Sequence, residues 1–292
     1  MTATPVSQGA QTHADLAYRL AWRSRAVRAG AHRSTHRGAG GLFRDLASLL
    51  DHPDPRRIDV RQSLRDPFEA IHVRRFEQKS AVAVTMLLDV SASMSFAGRT
   101  RKMRLAADLA SVIAASARRT GDTFSLIACD ETVRADLLVP ATRSRASEAE
   151  MTANLRSLAP KGRTASGLVE GARLIGSRRG LVFVVSDFLL PEPELACVFE
   201  ALSAHDVIPV VLADSSEIDA LPSWGLVSLT DLETGRRCLV VMRPSVKAQW
   251  QRRSEARRSF FRRVAERYGR EPFEVVDRID WDGLSAALLR GA

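Results

Sequence analysis

The chain reads as an α/β protein: a Rossmann-like, mostly parallel central sheet flanked by helices, preceded by an amino-terminal extension. Three observations predict this. From residue 81 to residue 212, short apolar runs alternate with stretches of helical periodicity, the pattern that lays helices on both faces of a parallel sheet. The run at 181–186, Leu-Val-Phe-Val-Val-Ser, is apolar almost throughout, as in a strand buried on both faces. A similar run at 81–88 climbs directly into Asp89, Ser91 and Ser93. In extended chain, alternate side chains share one side, so these three oxygens can converge where the strand opens into a loop.

Taken in order, residues 1–12 read as a loose tail. Residues 14–28 read as an amphipathic helix with Leu16, Leu20 and Val27 on one side and arginines on the other. Residues 30–41, rich in Gly, Arg and His, predict a loop. His32 and His36 stand at a metal-binding helical spacing, but their Gly-rich flanks make them solvated histidines. Residues 43–50 predict a short helix, broken by Pro53 and Pro55. Residues 56–65 are charged, with an Asp59–Arg65 ion pair expected. A strand at 70–77, separated by Lys79-Ser80 from the strand at 81–88, fits an antiparallel pair.

Gly98 marks a turn, and Leu105, Leu109, Val112, Ile113 and Ala117 give residues 101–119 a helical stripe. Residues 123–129 form a strand, and Asp130-Glu131 turns the chain into an antiparallel return over 132–139, ended by Pro140. A helix at 147–158 takes Ser147 as N-cap, with Glu148 and Glu150 in its first turn. A loop at 161–164 leads to a helix at 166–177 and the strand at 181–186. Then come a helix at 191–204 and a strand at 207–212. A hairpin joins 226–230 to 237–241 across Glu233-Thr234-Gly235. An Arg-rich helix at 246–268, a strand at 273–276 and a helix at 281–289 close the chain. The expected division is an extension over 1–78 and an α/β domain with a carboxyl-terminal helical elaboration over 79–292.

Composition bounds the function. With 45% apolar and 26% charged residues in 292, the chain belongs with folded proteins and not with disordered ones. The formal charge is +9, from 43 Lys and Arg against 34 Asp and Glu. Much of the excess lies at 19–37 and 252–270, as a solvated basic surface or a face for an anionic partner. No apolar run approaches the ~20 residues that span a bilayer. The amino terminus lacks the basic-then-apolar plan of a secretory signal, so a cytoplasmic protein is expected. Cys129, Cys197 and Cys238 are far apart in sequence and are expected to be reduced and mostly buried.

In an open α/β sheet, ligands sit outside the carboxyl ends of the strands. Three segments bring oxygen ligands there: Asp89, Ser91 and Ser93; Thr164, in a loop before a helix; and Asp187, directly after the strand at 181–186. An all-oxygen set suits Mg²⁺ or another hard divalent cation and not Zn²⁺. Each segment also has a bland reading: a turn for Asp89–Ser93, and helix caps for Thr164 and Asp187.

Asp-x-Ser-x-Ser after the first main strand, a loop Thr and an Asp ending a later strand resemble the metal-ion-dependent adhesion site of von Willebrand factor A domains. Asp89, Ser91, Ser93, Thr164 and Asp187 match its five ligands in type. Upstream, Asp54-Pro55-Arg56-Arg57-Ile58-Asp59, Ser63-x-Arg65 and a strand with Arg74 and Glu77 are similar to the bacterial A-domain-like proteins linked to MoxR-type AAA+ ATPases. Ser186-Asp187-Phe188 and the 225–235 region fit the same family. Leu42 and Val60 depart from its pattern, where an acidic residue and a Trp are usual.

The resemblance implies a non-enzymatic adaptor. Its Mg²⁺ would accept a carboxylate from a protein partner, a MoxR-type ATPase or that ATPase's client, in maturation or cofactor loading. A rival reading makes Asp89 the nucleophile of an aspartyl-phosphate-type phosphatase, but Ser91 stands where the acid/base Asp of such enzymes is needed. A metal-dependent nuclease would need a carboxylate cluster or a His base. Nucleic-acid binding by the basic carboxyl-terminal helix is a third reading. Its paired arginines spread around the helix, with Glu255 and Glu266 between them, instead of lining one stripe.

Overall fold

The computed structural model describes residues 16–18, 29–219, 221–268 and 271–290. Strands β1 (Ala29–Ser48) and β2 (His72–Ser80) flank a short helix α1 (Val60–Ser63). Then follow β3 (Ala83–Asp89), α2 (Lys102–Arg119), β4 (Thr123–Cys129), β5 (Val139–Thr142) and α3 (Arg145–Ser157). Next come α4 (Gly167–Leu174), β6 (Leu181–Ser186), α5 (Glu192–Ala201), β7 (Asp206–Ala213) and α6 (Ser216–Asp219). The chain continues through β8 (Gly225–Thr230), β9 (Arg237–Met242), α7 (Pro244–Tyr268), β10 (Phe273–Val276) and α8 (Trp281–Arg290).

The central sheet has six strands in the order β10-β7-β6-β3-β4-β5. All neighbours are parallel except β5, which runs antiparallel to β4. The expected α/β, Rossmann-like class is the one observed. Period-two alternation divides the core between the two faces. Met86, Leu88, Phe183 and Val185 point with Leu109 and Ile113 of α2 to one face. Leu87, Val182 and Val184 join Leu168, Phe199 and Phe261, from α4, α5 and α7, on the other. Adjacent residues of β3 and β6 thus bury opposite ways, which is why those runs are continuously apolar. At the foot of α2, Leu16 N donates to Ser116 Oγ at 3.2 Å, and the Tyr18 hydroxyl meets Asp122 and, at 2.8 Å, Thr120.

Several expectations are corrected. The loop expected at 30–41 and the helix at 43–50 are both strand β1, which pairs antiparallel with β2 through several register shifts. Phe43 sets its ring edge against Phe76 and Asp45 meets Arg75, so cross-strand partners override the local Gly signal. Strand β2 pairs with β1 and not with β3. Asp59 pairs with Arg74 at 2.7 Å and not with Arg65. The antiparallel return to β4 is made by the bridge from Cys129 to Val133 and, after a turn of 3-10 helix, by β5, whose Val139 and Thr142 pair with Leu126 and Phe124, so Pro140 lies inside the edge strand instead of ending it. Ser144, not Ser147, caps α3, its Oγ accepting from Ser147 N at 3.3 Å. Only Cys129 is buried; Cys197 and Cys238 are exposed. Of the helix expected at 14–28, residues 16–18 are not helical; its remainder and the tail at 1–12 lie outside the described residues. Among the described residues no helix is long and apolar enough to cross a membrane.

Candidate functional site

Strand β3 lies between β6 and β4 and delivers Asp89 to the carboxyl edge of the sheet. Asp89 is 1% exposed. Its Oδ1 accepts from Ser91 N at 2.8 Å, and its Oδ2 from Ser186 Oγ at 2.6 Å. Ser186 in turn accepts from Phe188 N at 2.8 Å, so one hydroxyl ties the ends of β3 and β6 together. Ser91 opens a turn of 3-10 helix, Ala92–Ser95, which brings the buried hydroxyls of Ser91 and Ser93 within 3.1 Å of each other.

The loop at 161–164 is strapped beside them. Ser91 and Gly162 form a parallel bridge, and Ala92 N donates to Gly162 O at 2.7 Å. A Cβ on Gly162 would stand 2.4 Å from Asp130 Cβ, so only glycine permits this approach. The loop carries Thr164 to the edge, but its exposed Oγ1 faces Ser166 Oγ at 2.9 Å. On the far side, Asp187 follows β6. Its Oδ1 accepts from Leu189 N at 3.3 Å, and its Oδ2 takes Lys102 Nζ at 2.9 Å. Lys102 also pairs with Glu217 at 2.5 Å. Helix α7 backs this loop: Phe261 stacks on Phe188 with centroids 4.1 Å apart, and Arg257 donates to the carbonyls of Leu189 and Leu190. The Asp214 carboxylate receives Thr100 N and Ser216 N, fastening the segment after Ser93 to the end of β7.

Burial, followed by the charge of Asp187, pushes the Asp89 carboxyl up to about 7, against the opposing donors of Ser186 and Ser91. Burial works against the charge on Lys102, but Asp187 and Glu217 outweigh it and its pKa is raised. The Cys129 thiol, beneath the edge, is pushed up to about 12, chiefly by burial.

The donor set fits a hard divalent cation in part. Mg²⁺ holds oxygens octahedrally at about 2.0–2.1 Å, so neighbouring ligand oxygens stand about 2.9 Å apart. The Ser91–Ser93 separation of 3.1 Å matches that edge. Asp89, Ser91 and Ser93 stand next to one another, through the 3-10 turn Ala92–Ser95 and not through the extended alternation the sequence suggested. Thr164 and Asp187 reach the same edge, but their side chains meet Ser166, Leu189 and Lys102. Neither side chain caps its following helix. Among the described residues, no group of three or more His, Cys, Asp or Glu could hold a metal.

Sequence reasoning missed Ser186, Lys102 and Glu217. Lys102 had a legible signal: it lies three, four and seven residues before Leu105, Ala106 and Leu109, on the buried stripe of α2. Ser186 was visible as the polar end of an apolar strand. Glu217 had no local signal.

Residues 53–260 match the family described as "Protein of unknown function DUF58". The chain belongs to the DUF58 family. A relative in Paracoccus denitrificans, an uncharacterized protein in the moxR 3' region, is 37% identical over 97 residues, covering 33% of this DUF58 chain and 92% of the relative. An uncharacterized protein of Mycobacterium bovis is 25% identical over 237 residues, 78% of this chain and 72% of its own. Among solved structures, BatB from Bacteroides thetaiotaomicron is similar with a TM-score of 0.46 and 15% identity, over 71% of this chain and 97% of that one. The SpRpn10 VWA domain gives a TM-score of 0.40 and 11% identity, over 73% and 98%. The chain's own sheet has the arrangement that the sequence predicts, with Asp-x-Ser-x-Ser following the first strand of the parallel set.

Proposed function

We propose that this DUF58 protein is a divalent-cation-dependent protein-interaction adaptor without enzymatic chemistry of its own. It works in the cytoplasm with a MoxR-type AAA+ ATPase, in maturation or cofactor loading of a client protein. Residues 79–292 form the interaction domain and residues 1–78 its extension. The observation that carries the reading is the buried trio Asp89, Ser91 and Ser93, with two hydroxyls 3.1 Å apart beside a carboxylate at the centre of the sheet edge. The occurrence of one relative in a moxR 3' region supports the choice of ATPase.

Asp89, Ser91 and Ser93 would hold Mg²⁺ or another divalent cation, with Thr164 and Asp187 flanking it. When bound, the ion supplies a concentrated positive charge that a partner's carboxylate can approach. The chain's own residues set the geometry. Ser186 orients the Asp89 carboxylate, the Ser91 amide fixes its other oxygen, and the Gly162 strap holds the 3-10 turn in place. The Asp89 side chain is buried, which supports a binding role over nucleophilic attack on a phosphate.

The test is calorimetric titration of Mg²⁺ and Mn²⁺ into the wild type and a Ser91→Ala/Ser93→Ala variant. It is followed by co-precipitation with the MoxR-type ATPase of the same organism, with and without EDTA. Ion binding and ATPase capture that are both lost in the variant are expected. Capture that is indifferent to EDTA and to the substitutions would overturn the reading.

A further inference from the structure

We propose that the outer face of the β8–β9 hairpin is a docking surface for an acidic amphipathic helix of a protein partner. Such docking needs no ion at Asp89. Strands β8 and β9 form a two-stranded sheet of their own. Their register pairs Leu226 with Val241, Ser228 with Leu239 and Thr230 with Arg237. Residues so paired share one face, and alternation sends Val227, Leu229 and Val240 to the other. That other face is the inner one: Val227, Leu229 and Val240 are half-buried, and Met242 is buried. The first face meets solvent. Leu226 and Leu239 are each 67% exposed and Val241 56%, and Trp224, just before β8, is 69% exposed.

A two-stranded sheet is marginal by itself, and leucines turned outward add nothing to its stability. Contiguous apolar surface of this kind marks a contact with another molecule, and charge says which kind. Arg237 lies at one end of the outer face and Arg243, the residue after β9, at the other. Among the described residues neither guanidinium meets a carboxylate. The acid of the adjoining turn, Asp231, is engaged within that turn, accepting from Glu233 N at 2.9 Å and from Thr234 Oγ1 at 2.6 Å.

The strand between the two arginines spans about 20 Å, the length of about thirteen helical residues. A helix with an apolar stripe between acidic ends therefore fits the face. A second copy does not: either two-fold arrangement of two hairpins face to face sets arginine against arginine. Residues 1–28 of the chain itself do not fit either, with Asp15 against Arg19, Arg23, Arg25 and Arg28. A nucleic acid would answer the arginines but leave Leu226, Leu239 and Val241 uncovered.

The probe is a fluorescein-labelled synthetic helix of about five turns, with leucines at every third and fourth position and glutamates near both ends. Its control carries glutamine for every glutamate. Fluorescence anisotropy in EDTA reads the affinity. The acidic peptide should bind about tenfold tighter than the control, and deuterium exchange should show protection at 225–230 and 237–242 on binding. Leu226→Ser/Leu239→Ser and Arg237→Gln/Arg243→Gln should each weaken the acidic peptide about tenfold. Both should leave Tm unaltered, because all four side chains are exposed.

Equal affinity for the two peptides overturns the proposal, as does binding that neither double substitution weakens. A wild type that sediments as a dimer, and as a monomer in Leu226→Ser/Leu239→Ser, assigns the face to a second copy and overturns it too. So does a DNA duplex that binds tighter than the peptide and is lost in Arg237→Gln/Arg243→Gln. EDTA is present throughout, so failure here leaves the ion at Asp89, Ser91 and Ser93 to its own titration.

Discussion

Ser186→Ala removes a hydroxyl that joins two strands and takes part in no proposed contact with a partner. In the folded chain its Oγ donates to Asp89 at 2.6 Å and accepts from Phe188 N at 2.8 Å. Phe188 has φ of 52°, a left-handed conformation unfavourable for an aromatic residue, so the loop there leans on its hydrogen bond. A hydrogen bond to a charged group is worth about 1.5–3 kcal/mol and a neutral one about 1. Both partners are buried and gain no water when the hydroxyl goes, so the loss should be about 2–4 kcal/mol. For a chain of this size that lowers Tm by roughly 4–8 °C. Far-UV circular dichroism melts at pH 8 in EDTA, with the wild type beside the variant, read it directly. A Tm within about 1 °C of the wild type would refute the reasoning, because no compensation for a severed buried carboxylate is that complete.

Three further outcomes are expected. Burial holds His205 below the usual imidazole range, with Nδ1 facing Gly180 N at 3.2 Å and Nε2 facing Gly176 O at 2.8 Å. A folded-state pKa below the unfolded value means stability present above about pH 6.5 and lost as pH falls toward the folded value. Asp89, whose carboxyl is pushed up to about 7, adds the opposite slope to wild type and variant alike, so the His205 contribution is the difference between wild-type and His205→Gln melts from pH 8 to pH 5; parallel curves would refute the assignment. Gly162→Ala places a methyl 2.4 Å from Asp130 Cβ and so lifts the loop from Ser91. It should cost about 1–3 kcal/mol and weaken Mn²⁺ binding, and an unaltered titration would refute the strap. Under native conditions a thiol reagent should modify Cys197 and Cys238 and spare the buried Cys129 until the chain unfolds, which mass spectrometry of the labelled protein resolves.

The sheet was legible because its signals are local and strong. Strands β4, β6 and β10 start and end where their apolar runs do, at Thr123–Cys129, Leu181–Ser186 and Phe273–Val276. The β8–β9 hairpin likewise follows its turn residues, Glu233-Thr234-Gly235. The trio Asp89, Ser91 and Ser93 was legible from its spacing at the end of a strand, but the 3-10 turn Ala92–Ser95, and not extended alternation, sets the Ser93 hydroxyl beside that of Ser91.

What was hidden depends on partners distant in sequence. Strand β1 contains Gly30, Gly38, Gly40 and Gly41 and carries little strand signal; its extended form comes from β2. The occupation of Asp187 by Lys102 joins residues 85 apart. A loop threonine such as Thr164 can be placed at an edge by sequence, but its rotamer is set by a neighbouring hydroxyl, Ser166. Counting thiols likewise could not show that Cys238 lies on the exposed hairpin strand β9.

The hydrogen bond from Ser186 to Asp89 closes a loop of 97 residues. During synthesis, at about 5–20 residues per second, the ribosome takes roughly 5–20 s to travel from one to the other. For that interval Asp89 belongs to an unfinished sheet, hydrated and ionised as any exposed aspartate would be. Its raised pKa and its burial are acquired only when β6 slides in beside β3. The edge is therefore a late product of folding, and its competence certifies that the middle of the chain has been made and correctly inserted.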